Sequence, residues 1–461
     1  MSRVADEAAT RYLYWWLLLA IFFEYARPGS FLPVINSLKL QSLIPLSLVA
    51  TCIIAAGLRP MRDIYCDPIA KWILMYFGVI ALSLVHAEVT LYAFEVTKTV
   101  LGYLLLMFAI VRVCTTADRI RGVAAVLILA HLFLLAMNPA AVLNPEQRNY
   151  LIGGTFLGDG NDFALSICIV LPMSIELALH STSRIRSLLW WGSFMLLVLA
   201  VIATQSRGGT LGLAAVGGYL WLRSPRKILT LAAAFIAVAV MLAYAPEQYF
   251  SRMHTLTNYT ADGSAMGRIM AWKAAIHMFL DHPLLGVGAG MFPVSFGTDY
   301  RPAGAENIPW LTAHSMYFLV LGEMALPGIV VLLGVIVENL AANRRLVRSR
   351  VLTPDKRDGR AFPSGTRRLL YLLSASMVGF ATAGAFLSVA YYPHIFVLSG
   401  LMLATRRFAA AEQEAVPAEI DGRSPALAKG HGRKRHARND PGRIGPGIAR
   451  RRPIPISIRL R

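Results

Sequence analysis

Several short stretches place strong hydrogen-bonding side chains against long apolar runs, where an anionic substrate held at a lipid surface would lie. In Thr204-Gln-Ser-Arg207-Gly-Gly two apolar runs are interrupted, and the glycines permit a tight turn that leaves the guanidinium uncrowded. A guanidinium fork matches phosphate oxygens in a two-pronged contact and keeps its charge beside lipid. An arginine that merely snorkels to the interface has the same signature. Arg268 stands at the amino end of an expected helix, where a cation opposes the dipole at a cost of about 0.3–1 kcal/mol and a phosphate partner would offset that cost. Pairing with Asp262 is the plainer alternative. His314 lies at the junction of a polar stretch and a long apolar run. Its imidazole titrates near neutrality, as a general base must, although a structural histidine sits in such places too. Glu323, further along that run, is an intramembrane carboxylate and so a candidate for function or for bonding a neighbouring helix.

A fourth stretch, Gly153-Gly-Thr-Phe-Leu-Gly-Asp159-Gly-Asn161-Asp162, precedes another apolar run. Asn161 suits a helix N-cap or a contact to substrate. Asp159 and Asp162 are able in principle to hold a cation, but no Asp-x-Asp pair is present, which argues against metal-dependent glycosyl transfer. Cys52, Cys66, Cys114 and Cys168 have neither metal-like nor disulfide-framework spacing.

The elements that must position these residues are helices in a membrane. The chain is 56% hydrophobic and 15% charged, against about 45–50% and 25% for an average soluble domain. Apolar runs near 12–25, 40–58, 69–85, 96–113, 120–137, 162–179, 187–204, 209–222, 228–244, 315–340, 369–390 and 394–404 predict an all-α polytopic protein of about twelve transmembrane helices. Arg3 and Arg11 precede the first run without a small-residue cleavage site, so that run is expected to be retained.

The net charge of +19 is concentrated in two places: residues 343–368 are net +7 and residues 406–461 net +9. Basic residues also alternate between successive connections, as expected when basic loops stay in the cytoplasm. This pattern puts both termini inside and disfavours nucleic acid as a partner. It also puts one long connection, about 245–313, outside. Within that loop, residues 267–280 set Ile269, Trp272, Ile276 and Phe279 at helical spacing, predicting an amphipathic helix at the membrane interface. A helix packed on protein is the alternative. Residues 1–408 then form the transmembrane domain, and the basic, Pro- and Gly-containing segment 409–461 is expected to be a disordered cytoplasmic tail.

Ser206-Arg-Gly-Gly209, Gly267-Arg-Ile-Met-Ala-Trp272 running into His282-Pro-Leu-Leu-Gly-Val-Gly288, and His314 followed by Glu323 together resemble the O-antigen ligase and Wzy-type polymerase superfamily. The resemblance implies a glycosyltransferase of the bacterial inner membrane that acts on the periplasmic face. The donor would be an undecaprenyl-diphosphate-linked glycan, with Arg207 and Arg268 on the diphosphate, His314 at the transfer step, and no metal or other cofactor. The acceptor stays open among lipid A core, another glycan and a protein hydroxyl. A transporter or flippase of lipid-linked glycans is the competing class; it predicts internal repeats and midplane charges in broken helices, and no convincing repeat is seen.

Overall fold

Each of the predicted apolar runs falls mostly on helix in a computed structural model, which describes residues 3–56, 62–144, 157–245, 247, 263–302, 307–348 and 365–420. In chain order the helices are α1 (Arg3–Ala26), α2 (Pro33–Ser37), α3 (Leu40–Ala56), α4 (Arg62–Tyr65), α5 (Pro68–His86), α6 (Thr90–Val113), α7 (Ala117–Met137), α8 (Ala140–Leu143), α9 (Gly160–His180), α10 (Arg184–Ala203), α11 (Arg207–Arg223), α12 (Lys227–Tyr244), α13 (Gly263–Asp281), α14 (Phe292–Thr298), α15 (Met316–Arg348), α16 (Thr366–Ala383) and α17 (Pro393–Ile420). The described residues contain no strand. Among the described residues eight helices, α5, α6, α7, α9, α10, α12, α15 and α16, are long and apolar enough to cross a bilayer. The chain divides into two units, Met1–Glu414 and Ala415–Arg461, and the contacts described below all lie in the first. Helix α17 continues to Ile420, past the expected boundary at 408; residues 421–461 of the expected tail lie outside the described residues.

Helix starts follow local chemistry. Asp67 caps α5 by accepting from Ile69 N at 2.8 Å, with Pro68 at the first helical position. Packing at the centre relies on small residues, which let backbones approach where lipid removes the usual hydrophobic drive between helices. On α11, a Cβ at Gly212 would lie 2.9 Å from Ala383 Cβ of α16, and one at Gly209 would lie 2.5 Å from Ala164 Cβ of α9. At the basic end, buried Glu176 of α9 accepts from Arg121 Nε of α7 at 2.9 Å and from Arg368 Nε of α16 at 2.6 Å. Removing one partner of such a buried group leaves charge uncompensated, which is why these three helices are locked together there.

Two spans end differently from expectation. Helix α16 stops at Ala383, a 3-10 turn covers Gly384–Phe386, and residues 387–392 run as irregular chain. The apolar run to 390 gave no sign of this, because Leu387, Val389 and Ala390 are as apolar as helix residues. The segment is buried, and Tyr76 of α5 donates to the Ala390 carbonyl at 3.1 Å. Irregular backbone at this depth is tolerated when protein satisfies it. Pro393 then opens α17, so the short run near 394–404 belongs to a longer helix.

Helix α13 begins at Gly263, before the expected start. The face it turns to protein is made of other residues: Ala271, Ala274, Ala275 and Met278 are buried, whereas Ile276, on the face expected at the membrane interface, is 42% exposed. Small residues seat the helix against α15, where the Met278 sulfur approaches Gly322.

The glycine turn after α13 is held by α15. Gly286, Gly288 and Gly290 have φ of 69°, 105° and 81°, a region that costs an L-residue strain. Val287 N donates to Gly322 O at 3.1 Å and Gly288 N to Glu323 O at 2.9 Å. A Cβ on Gly286 would lie 2.4 Å from the Glu323 carbonyl carbon. Gly286→Ala is therefore expected to destabilise the purified protein by at least about 1 kcal/mol, read as a lower melting temperature in detergent. Gly217→Ala on α11, which meets nothing within 4 Å, should leave it near wild type. Equal melting temperatures for the two variants would show that the turn is not constrained.

Candidate functional site

Three helix starts and one irregular segment meet at the end of the bundle opposite the buried Glu176 cluster. The first turn of α9 lies on the turn before α11: a Cβ at Gly160 would be 3.3 Å from Thr204 Cβ. Asp159, not Asn161, is the N-cap of α9 and accepts from Asn161 N at 3.1 Å; the Asn161 amide nitrogen also bonds back to the Asp159 carboxylate at 3.3 Å. Asp162 accepts from the Tyr392 hydroxyl at 2.8 Å, joining α9 to the irregular segment before α17.

Arg207 is the first residue of α11. Ser206 caps the helix by accepting from Gly209 N at 3.1 Å. The turn itself is made by Gln205, a non-glycine residue at φ 51°. Gly208 and Gly209 are helical and serve close approach instead, with Phe386 and Ala164 where side chains would be. Arg207 is half-buried, and a helix N-terminus adds its own attraction for an anion to that of the guanidinium.

His314 also occupies left-handed backbone, at φ 48°. Such conformations persist where the surroundings over-determine them, and two contacts do so here. His314 N donates to Ser388 Oγ at 2.9 Å, which also accepts from Thr312 Oγ1 at 2.8 Å. The Trp272 indole N–H donates to the Ala313 carbonyl at 3.0 Å while its ring stacks on Phe318 at 5.1 Å. Arg268 lies four residues before Trp272, so the helix face that bonds Ala313 also carries Arg268 toward the histidine. Because α13 begins at Gly263, Arg268 is beyond the first turn, and the dipole conflict expected there is weak. Asp262 lies outside the described residues.

The half-buried His314 imidazole is held below the ordinary histidine range, chiefly by burial and then by the Arg268 guanidinium, with the Asp159 carboxylate pulling the other way. Arg268, His314 and Asp159 thus share one electrostatic environment. Arg207 reaches it through two routes: Thr204 against Gly160, and Gly208 against Phe386, two residues from Ser388. The arrangement presents two guanidinium groups and a neutral imidazole at one end of the helices.

Glu323 stands apart from this group. It is buried, and its carboxylate accepts from Gly290 N at 2.9 Å, from Phe292 N at 2.8 Å and from the Tyr391 hydroxyl. Those bonds fasten the glycine turn and α14 to α15 just before its kink at Ala325. The sequence marked this carboxylate but not its partners. Ser388, Tyr392 and Trp272 position site residues without having been singled out for that; only the Tyr-Tyr-Pro step, which breaks helix before a proline, signals the irregular segment.

Residues 192–333, from within α10 to within α15, match the family described as O-antigen ligase. The matched segment contains Arg207, Arg268, His314 and Glu323, and excludes Asn161, Ser388 and Tyr392. No curated protein matches the sequence.

Proposed function

From the premise that this chain carries an O-antigen ligase domain over residues 192–333, we propose that it transfers a saccharide en bloc from undecaprenyl diphosphate to an acceptor hydroxyl at the outer face of the bacterial inner membrane. The observation that carries the reading is the gathering of Arg268, Asp159 and the His314 imidazole in one environment, with the Arg207 turn packed on the same helix start. Arg207 and Arg268 hold the diphosphate and offset charge that grows on it as the glycosidic C–O bond breaks. His314, neutral at physiological pH, takes the proton of the acceptor hydroxyl as its oxygen attacks the anomeric carbon from the opposite side. The products are the glycosylated acceptor, with inverted anomeric configuration, and free undecaprenyl diphosphate.

In this mechanism Asn161 steadies the Asp159 carboxylate beside the donor's sugar, and Glu323 holds the loop that carries α14. No step is assigned to a metal, so chelators should leave wild-type transfer unchanged. Chelation that stops transfer, with recovery on adding a divalent ion, would shift attention to Asp159 and Asp162. Lipid A core, a second glycan or a protein hydroxyl all satisfy the acceptor's part.

The proposed orientation follows from the alternation of basic residues. Cysteines introduced at Gly263 and Ala303 should react with an impermeant thiol reagent in intact spheroplasts, and one introduced at Ser364 should not. Labelling at Ser364 alone would invert the topology and place the site in the cytoplasm.

A further inference from the structure

The glycine turn has a second face, away from Glu323, and it lines a cavity of about 560 Å³, within the usual range for small-ligand sites. One wall is the end of α5 and the connection to α6, with His86 and Glu88. The other is formed by His282 at the end of α13, Ser295 and Asp299 of α14, and Tyr300. None of the lining residues is Lys or Arg, so the cavity is not built for the diphosphate.

Its polar lining mixes carboxylates with the hydroxyls of Ser295 and Tyr300 and the rings of His86 and His282. The His86 Nδ1–H donates to the Leu82 carbonyl at 3.1 Å, which leaves Nε2 to meet a ligand. That nitrogen is shielded and has no protein partner among the described residues. The carboxyl oxygens of Glu88 and Asp299 offer acceptors. A phosphate or carboxylate would be repelled here, whereas vicinal hydroxyls satisfy carboxylate oxygens well. Part of the lining is apolar and open: Leu284 and Leu285 are 73% and 38% exposed. With α5 and α6 crossing the bilayer, this is the pattern of a pocket at the boundary between lipid and water, where the sugars nearest a membrane anchor would lie.

The cavity is tied to the transfer site through α15. Val287, one of its lining residues, bonds Gly322, and Gly322 is about 9 Å of helical rise beyond Met316, which follows closely on His314. A single sugar cannot fill the cavity and also reach the imidazole; an oligosaccharide can.

Resting on the transfer reaction proposed above, we propose that this cavity binds uncharged sugar residues on the anchored side of an oligosaccharide acceptor while the terminal hydroxyl of that acceptor lies at His314. The test uses the purified full chain, a lipid-diphosphate donor at saturation and a titrated acceptor oligosaccharide. Glu88→Gln combined with Asp299→Asn should raise the acceptor KM about ten-fold or more, with kcat and donor KM unchanged. A single-sugar acceptor, too short to occupy the cavity, should serve wild type and variant equally. Unchanged KM for the long acceptor would overturn the proposal, as would a fall in kcat at unchanged KM, which indicates a disturbed fold. So would an effect on KM that appears only when phosphatidylethanolamine is added to the micelles, since the cavity would then hold a lipid ammonium group. Absence of any transfer by the wild type is a different result and would contradict the reaction itself.

Discussion

Replacing His314 by alanine is expected to slow saccharide transfer by about 10²–10⁴-fold while the protein stays folded and still binds the lipid-linked donor. Donor binding survives because guanidinium groups, not the imidazole, face the diphosphate, and because the backbone bonds at 313–314 to Trp272 and Ser388 do not involve the imidazole. In the proposed mechanism the neutral ring is the base. Its pKa lies below the usual 6.5, from burial first and Arg268 second. Activity should therefore be full above that lowered value and fade as the pH falls through it. Arg268→Gln removes one of the two depressing causes, so the acid limb of its residual activity should move to higher pH. Loss of donor binding in His314→Ala would make the histidine a binding or structural residue, and an acid limb that ignores Arg268 would remove it as the base.

Arg207→Lys should lower kcat/KM for the donor by about 10- to 100-fold although the charge is kept, because an ammonium cannot reproduce a planar, two-pronged contact with phosphate oxygens. Arg207→Ala should be no milder. Arginine at the first position of α11, with Ser206 capping and Gly208 and Gly209 pressed on Phe386 and Ala164, has little freedom to swing away, so a shorter reach by lysine is not easily corrected. Near-normal turnover in the lysine variant would reduce Arg207 to an interfacial side chain.

Much of this architecture is written in local patterns. Apolar runs separated by basic connections located the helices because a lipid-facing helix must be apolar along a whole span, and that requirement does not depend on neighbours. Arg207 and His314 stood out as candidates because each interrupts or borders such a run, and Arg268 because it opens the amphipathic stretch of the long connection. What packs against what was less so. The glycines after Arg207 suggested a tight turn, yet Gln205 makes the turn and the glycines make room for α9 and the 3-10 segment, a role that only the neighbouring helices reveal. On α13 the larger apolar side chains suggested a face at the membrane interface, and nothing in their spacing marked the alanines that pack on α15. Ser388 and Tyr392 lie far along the chain from His314 and Asp162, and no spacing rule links residues brought together only by the irregular 387–392 segment.

The central claim is that the chain catalyses transfer. The most direct test incubates the purified protein in detergent micelles, where no second compartment exists to transport into, with a defined undecaprenyl-diphosphate glycan and candidate acceptors. Mass spectrometry of the acceptor should show a gain equal to the whole donor saccharide, with one undecaprenyl diphosphate released per transfer. An acceptor of unchanged mass, together with movement of intact donor lipid between leaflets once the same protein is placed in liposomes, would contradict it.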